Sequence, residues 1–175
     1  PPGAGKGTQS ILIAEKMGLK HLSTGEILRK AVTDGTPLGL KAKEVMDSGN
    51  LVSDEIMVGI IKDAISADDA KNGFILDGFP RTIEQAKELD KIMESLGYSA
   101  ARVINITLDD EELVRRMLGR GRKDDTEETI KNRLKVYKEQ TAPVREHYSS
   151  KSAVFDIYGI GSISEINNKI LEVLK

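Results

Sequence analysis

The chain of 175 residues contains no cysteine. That excludes a disulfide frame and any zinc site built on thiolates, and it fits a reducing compartment. A charge imbalance is missing too: 26 Lys and Arg stand against 28 Asp and Glu, a formal net charge of −2. No field therefore draws the whole molecule to nucleic acid or a membrane, and positive charge that serves function must act locally. No apolar run approaches the roughly 18 residues of a membrane span, and no signal peptide stands at the visible start, where a processed transit peptide would leave no trace. Repeats and low-complexity tracts are absent. Only two histidines occur, His21 and His147; no histidine–carboxylate pair stands out, so both are expected to be ordinary structural or surface residues. At this length the chain fits one domain with its own core.

The chain opens on Pro1-Pro2-Gly3-Ala4-Gly5-Lys6-Gly7-Thr8. Three glycines in a short run reach backbone dihedrals that a Cβ forbids, so successive N–H groups can point into one concavity. A helix is expected from Thr8, and its amino end carries about half a positive charge. Lys6 adds an ammonium where loop becomes helix, and together these features describe a polyphosphate site. The plainer reading is a turn with a surface lysine. Two departures from the usual phosphate-loop pattern stand out: its first glycine is missing, and Gly7 follows the lysine, with the hydroxyl one place later at Thr8. A phosphate loop also needs a strand feeding into it, so a short apolar strand ending in glycine is expected ahead of Pro1.

Further along, Lys20–Ser23 reads as a strand, with Ser23 and Glu26 as a capping box for the next helix. From Ile27 to Val52 a helical pattern is broken by Gly35-Thr36-Pro37, Gly39 and Ser48-Gly49-Asn50, which predicts a small helical excursion. Ser53-Asp54-Glu55 caps another helix. Gly73-Phe74-Ile75-Leu76-Asp77 reads as a buried parallel strand, with Gly78-Phe79-Pro80-Arg81 as the loop at its carboxyl end. Thr82 and Gln85 make a second capping box ahead of a helix carrying Leu89, Ile92, Met93 and Leu96. Val103–Thr107 is the next strand, and Asp109 caps a helix with Leu113, Val114, Met117 and Leu118 on one side. The stretch 119–125 concentrates charge; beyond it Ile130, Leu134 and Tyr137 continue a helix that Ala142-Pro143 disturbs. Ala153–Ile157 is the last strand, followed by a glycine loop and a helix capped by Ser162 with Glu165. Alternating strands and helices call for a parallel sheet with helices on both faces, whose ligands sit beyond the carboxyl ends of the strands. Thr24, Asp77, Arg81 and the phosphate loop all fall there.

Asp77-Gly78-Phe79-Pro80-Arg81, taken with Pro2–Thr8, resembles the adenylate kinase family; Ser23-Thr24-Gly25-Glu26, Gly119-Arg120 and Lys123-Asp124-Asp125 through Arg133 extend the likeness across the chain. The resemblance implies phosphoryl transfer from magnesium-ATP to AMP, giving two ADP. It implies a phosphate-loop α/β fold with a five-stranded parallel sheet, the strand before Pro1 being the middle one, in a single domain over 1–175. An AMP-binding excursion over 23–52 and a minimal lid loop over 119–125 complete that domain. By the same resemblance Gly3, Ala4, Gly5, Lys6, Gly7 and Thr8 hold the ATP phosphates, with Arg116, Arg120 and Gly161 on the ATP side. Thr24, Arg29, Asn50, Leu51, Val52, Gly78, Phe79, Pro80, Arg81 and Gln85 match AMP-contacting positions, the Phe79–Pro80 bond being cis. Arg122 and Arg133 meet the transferring phosphate, and Lys6, Arg81 and Arg120 complete the catalytic set. The metal is Mg2+ bound with ATP, met through water by Asp77; no structural zinc is expected. The partners implied are ATP and AMP or ADP, without nucleic acid or membrane, for a cytoplasmic monomer.

The chemistry suits these residue types. An AMP phosphate is already ionised at neutral pH, so no general base is required. Alignment of two anions, neutralisation of their charge and exclusion of water are what the reaction needs, and forked guanidinium groups supply the first two. Each residue also has a plainer reading: Arg116 pairs with Glu112 four residues earlier, Gln85 is a capping residue, and Asp77 shapes an Asp-Gly turn. Two other functions share the frame, a UMP/CMP kinase and a nucleotide-binding regulatory protein without catalysis. Thr24 and Gln85 resemble the adenine-selecting version, and the full set of arginines speaks against the non-catalytic one.

Overall fold

Four short segments become the strands of the computed structural model, which describes residues 1–122, 124–151 and 153–175. They are β1 (Lys20–Ser23), β2 (Phe74–Asp77), β3 (Arg102–Thr107) and β4 (Ala153–Tyr158). β1 runs parallel to β2 with His21 opposite Ile75, and β3 runs parallel to β4 with Ile104 opposite Phe155. Among the described residues β2 and β3 share no ladder, so the expected single sheet is present as two parallel pairs. Ile75 of β2 nonetheless packs in the same apolar cluster as Ile104 and Ile106 of β3.

Helices connect the strands. α1 (Lys6–Met17) starts two residues ahead of the expected Thr8, because Gly5, at φ 88°, turns the chain directly into it. The excursion between β1 and β2 is α2 (Thr24–Thr33) and α3 (Pro37–Asp47), followed by α4 (Asp54–Ser66) and a 3-10 turn at Asp68–Ala70. α5 (Ile83–Ser95) leads to β3. α6 (Asp110–Gly119), α7 (Glu127–Val136) and α8 (Ala142–Ser149) lie between β3 and β4, and α9 (Ile163–Leu174) ends the fold.

Local chemistry explains most helix starts. Ser23, Thr36, Thr82, Thr126 and Ser162 each accept a backbone N–H three residues on, and Ser162 with Glu165 forms a full capping box. Four expected caps differ. The Ser23–Glu26 box is only half present: the Ser23 hydroxyl accepts from the Glu26 N–H, with no return bond from the Glu26 side chain among the described residues. Ser53 makes no side-chain cap bond. Asp109 instead accepts from the Tyr158 hydroxyl at 2.8 Å. Gln85 returns its side chain to the Arg81 N–H, one residue short of the Thr82 N–H that a capping box requires. The disturbance at Ala142-Pro143 is a π-helical turn over Tyr137–Thr141: the Ala142 N–H reaches back five residues to Tyr137. The proline ring cannot sit against a carbonyl four residues earlier, so the helix widens just ahead of it.

Two cores flank the strands. Leu22, Leu28, Val52, Met57, Ile61, Ile65, Phe79 and Leu89 join β1 and α2 to α4 and α5. Ile13, Ile106, Leu113, Met117, Ile130, Ile157, Ile166 and Ile170 join α1, α6, α7 and α9 to β3 and β4. Each fully buried aliphatic side chain contributes about 1.5–3 kcal/mol. A smaller group, Ala86, Val144 and Tyr148, packs α8 on α5.

The excursion depends on one close approach. A Cβ added to Gly39 would stand 1.9 Å from the Ala31 carbonyl oxygen, so α3 crosses α2 where only glycine fits. Gly39→Ala should therefore cost about 1–3 kcal/mol or more of unfolding free energy, read by urea denaturation. A change below 0.5 kcal/mol would mean that α2 and α3 separate freely.

Candidate active site

Parallel strands bring their carboxyl ends to one edge, and the phosphate loop stands there. Gly3 and Gly5 take φ of 82° and 88°, and a Cβ on Gly3 would lie 2.9 Å from the Leu113 carbonyl oxygen, so the loop is seated on α6. Lys6 folds over the loop and donates from Nζ to the Pro1 carbonyl at 2.7 Å. Burial pushes its ammonium down to about 8; Asp77 opposes this, and Arg81, Arg120 and Arg122 add to it. Gly7 passes close to Asp77, where an added Cβ would stand 3.3 Å from Oδ2.

The loop after β2 is organised around the carbonyl of Gly78. It accepts from the Thr24 hydroxyl at 3.0 Å and from Arg81 Nε at 2.7 Å. The Phe79–Pro80 bond is cis. The Arg81 N–H donates to Gln85 Oε1 at 2.7 Å, and the Arg81 carbonyl accepts from the Thr141 hydroxyl at 2.9 Å. Arg81 is thus held at both backbone ends. Burial lowers its basicity, Asp77 opposes, and Arg133 and Arg29 lower it further. Thr24 and Gln85 are 1% and 2% exposed. Arg29 lies over Gly25, whose added Cβ would touch the guanidinium at 3.1 Å.

The charged turn between α6 and α7 supplies the opposite wall. Gly121 turns it at φ 68°. Asp125, its side chain 1% exposed, accepts from Arg120 Nε and from Nη2 at 2.8 Å, and also from Arg133 Nη1 at 2.5 Å. Asp124 pairs with Arg133 Nη2. Burial opposes ionisation of Asp124, yet the hydrogen bond from Arg133 holds its carboxyl below the usual range. Arg122 is exposed and takes part in no ion pair among the described residues. Partial desolvation by the surrounding protein nonetheless lowers its basicity, with Arg120 and Arg29 adding to the effect. Lys123 of this motif lies outside the described residues.

Lys6, Arg29, Arg81, Arg120, Arg122 and Arg133 therefore come from five separate stretches into one neighbourhood. Other expected residues engage different partners. Arg116 donates to Glu112 at 2.6 Å, as the plainer reading has it, and to the Gly159 carbonyl at 3.0 Å beside Gly161. Asn50 accepts from Asn132 at 3.0 Å, and Val52 is buried in the first core, with Leu51 between them. His147 is bound to Asp90 at 2.9 Å between α5 and α8. His21 is nearer the site than expected: its buried Nε2 has no hydrogen-bond partner among the described residues and lies 4.0 Å from Asp77 Oδ2. No role in the site follows from the sequence for Asp124, Asp125, Asp54 or Thr141. The acid pair that follows Arg122 and Lys123 was the available signal for the first two; the others depend on contacts 28 to 60 residues apart.

Cations gathered over a phosphate loop and only partly paired with carboxylates suit a bound polyanion, and they make this a phosphate-loop α/β protein in class. The family model described as adenylate kinase matches residues 1–153. Over 176 positions the chain is 51% identical to the adenylate kinase of Leptospira biflexa, covering 98% of this chain and 95% of that one. It is 47% identical to that of Corynebacterium aurimucosum, covering 99% and 95%. To that of Geotalea daltonii it is 44% identical, covering 100% and 96% over 206 positions, so that relative carries segments this 175-residue chain lacks. The chain belongs to the adenylate kinase family, whose reaction is phosphoryl transfer between ATP and AMP.

The depressed basicity of Lys6 has a measurable consequence. Its folded value, about 8, lies below the ordinary 10.5. Between those values the unfolded chain holds the proton more tightly than the folded one, so ligand-free stability gains a contribution as pH rises through that window. Lys6→Met should lose this contribution. Urea unfolding at pH 7 and pH 10 should show wild type gaining relative to the variant at the higher pH; parallel behaviour would mean Lys6 is not desolvated.

Proposed function

We propose that the cationic cluster aligns the phosphates of ATP and AMP for direct transfer between them. The observation that carries this is the convergence of Lys6, Arg29, Arg81, Arg120, Arg122 and Arg133, close enough for several to depress one another's basicity. In this reading Gly3 to Thr8 cradle the ATP phosphates through backbone N–H groups, and Arg116, Arg120 and Gly161 serve the ATP side. Thr24, Arg29, Arg81 and Gln85 hold AMP, with Asn50 to Val52 and Gly78 to Pro80 shaping its pocket. Arg122 and Arg133 act on the group in flight. The acceptor oxygen is an anion, so no residue need remove a proton, and rate comes from position and charge.

Among the described residues no group of three or more His, Asp or Glu could hold a metal ion. Asp77 fits a looser role, because no hydrogen bond within the described protein engages its carboxylate and it faces Gly7 at the floor of the phosphate loop. It would meet a magnesium ion through water, and such an ion neutralises phosphate oxygens. Gly7, standing where a hydroxyl is usual, leaves that ion to phosphates and waters.

The segment 119–125 acts as a short lid that swings on α6 and α7, and 23–52 closes over AMP. A five-stranded sheet would need one strand between β2 and β3. The enzyme works as a monomer, and no helix among the described residues is long and apolar enough to cross a membrane. Arg122→Lys keeps charge but loses the fork, and should lower turnover about 10²–10³-fold while ATP binding changes little. A coupled assay offering AMP, CMP, UMP and GMP should show AMP far ahead. Normal turnover by Arg122→Lys would remove the lid arginine from catalysis, and equal use of CMP or UMP would favour the pyrimidine reading.

A further inference from the structure

We propose that Asp54 is a specificity-determining positioning residue: by accepting a hydrogen bond from the Gln85 amide nitrogen, it fixes which purine edge the acceptor site reads. The proposal rests on the reading of Gln85 as the adenine-contacting residue given above.

A glutamine amide presents a donor at one end and an acceptor at the other, and a half-turn exchanges them. In this protein the amide lies between two groups of fixed polarity. The Arg81 backbone N–H can only donate, and it meets Oε1 at 2.7 Å. The Asp54 carboxylate can only accept, and its Oδ1 meets Nε2 at 2.8 Å. Reversing the amide would set oxygen against carboxylate and NH2 against N–H, losing both bonds in a side chain only 2% exposed. Buried groups left that way are expensive.

Asp54 is itself anchored. Its Oδ2 accepts from the Thr82 hydroxyl at 3.1 Å, and it occupies the first turn of α4, where a carboxylate is favoured by the helix dipole. One amide hydrogen and one Oε1 lone pair of Gln85 remain uncommitted. Adenine offers the complementary pair, a 6-amino donor beside the N1 acceptor. Hypoxanthine offers the inverse, a 6-oxo acceptor beside an N1–H donor, at the same size. Asp54 thus contributes to discrimination without touching the nucleotide.

The test is the ratio of kcat/KM for AMP to that for inosine monophosphate, in wild type, Asp54→Asn and Gln85→Met. Asparagine keeps the shape of Asp54 but can donate as well as accept, so only the Arg81 N–H still sets the amide's polarity and the reversed amide loses one bond instead of two. Asp54→Asn should lower the ratio about tenfold or more, with KM for ATP within twofold. Asp54→Glu, which remains acceptor-only, should restore most of the preference. If the asparagine variant does not fold, Asp54→Ser, whose hydroxyl also works both ways, carries the same expectation. An unchanged ratio in the folded variant, with a collapsed ratio in Gln85→Met, would overturn the role of Asp54 alone. An unchanged ratio in Gln85→Met would overturn the reading of Gln85 beneath it.

Discussion

Like charges brought together are the constraint on which this structure turns. Six cationic side chains share one edge of the fold, and Asp77, Asp124 and Asp125 are the carboxylates set among them. The depressed basicities of Lys6, Arg81 and Arg122 record burial together with mutual repulsion. The cluster must therefore be held by structure outside itself, and the two apolar cores on either side of the strands do that work. Its charge is balanced only in part among the described residues. A cluster arranged this way favours an anion, which relieves a tension already present in the free fold.

Within the cluster the carboxylates are not interchangeable. Asp125 is almost wholly enclosed and joins an arginine at the end of α6 to one on α7, its Oδ1 accepting from both guanidinium groups. Among the described residues Asp77 has no such guanidinium partner and stands beside the phosphate loop. The same residue type is therefore placed in two ways, bridging two cations and standing beside a glycine loop, and the difference lies in which backbone segment delivers it.

Much of this was legible in the residues themselves. The four strands, the glycine loop, the turn after Asp77 and the Ser162–Glu165 box are local features, and local chemistry decides them. The pairing of Arg116 with Glu112 was legible because one helical turn separates them. What escaped was decided by distant partners. Asp109 looks like a cap until Tyr158, 49 residues away, takes its carboxylate. Gln85 looks like half of a capping box until Asp54 and the Arg81 N–H claim its two ends. Side chains with several possible partners are read from sequence by proximity, while the fold chooses by geometry. The unpaired Nε2 of His21 belongs to the same class, because nothing within its own strand announces the nearness of Asp77.

The widened turn at Tyr137–Thr141 has a mechanical meaning for the helices on either side. One additional residue in a helical turn rotates everything beyond it by roughly 100° about the axis. Before the turn, Ile130 faces the core built on β3 and β4 from the α6 side; after it, Val144 and Tyr148 face α5. The π-helical turn thus works as a phase shifter, allowing one nearly continuous rod to present its apolar stripe to two different neighbours. At the point of the shift it sets Thr141 against the backbone of Arg81, tying the rod's change of phase to the residue at the centre of the charge cluster.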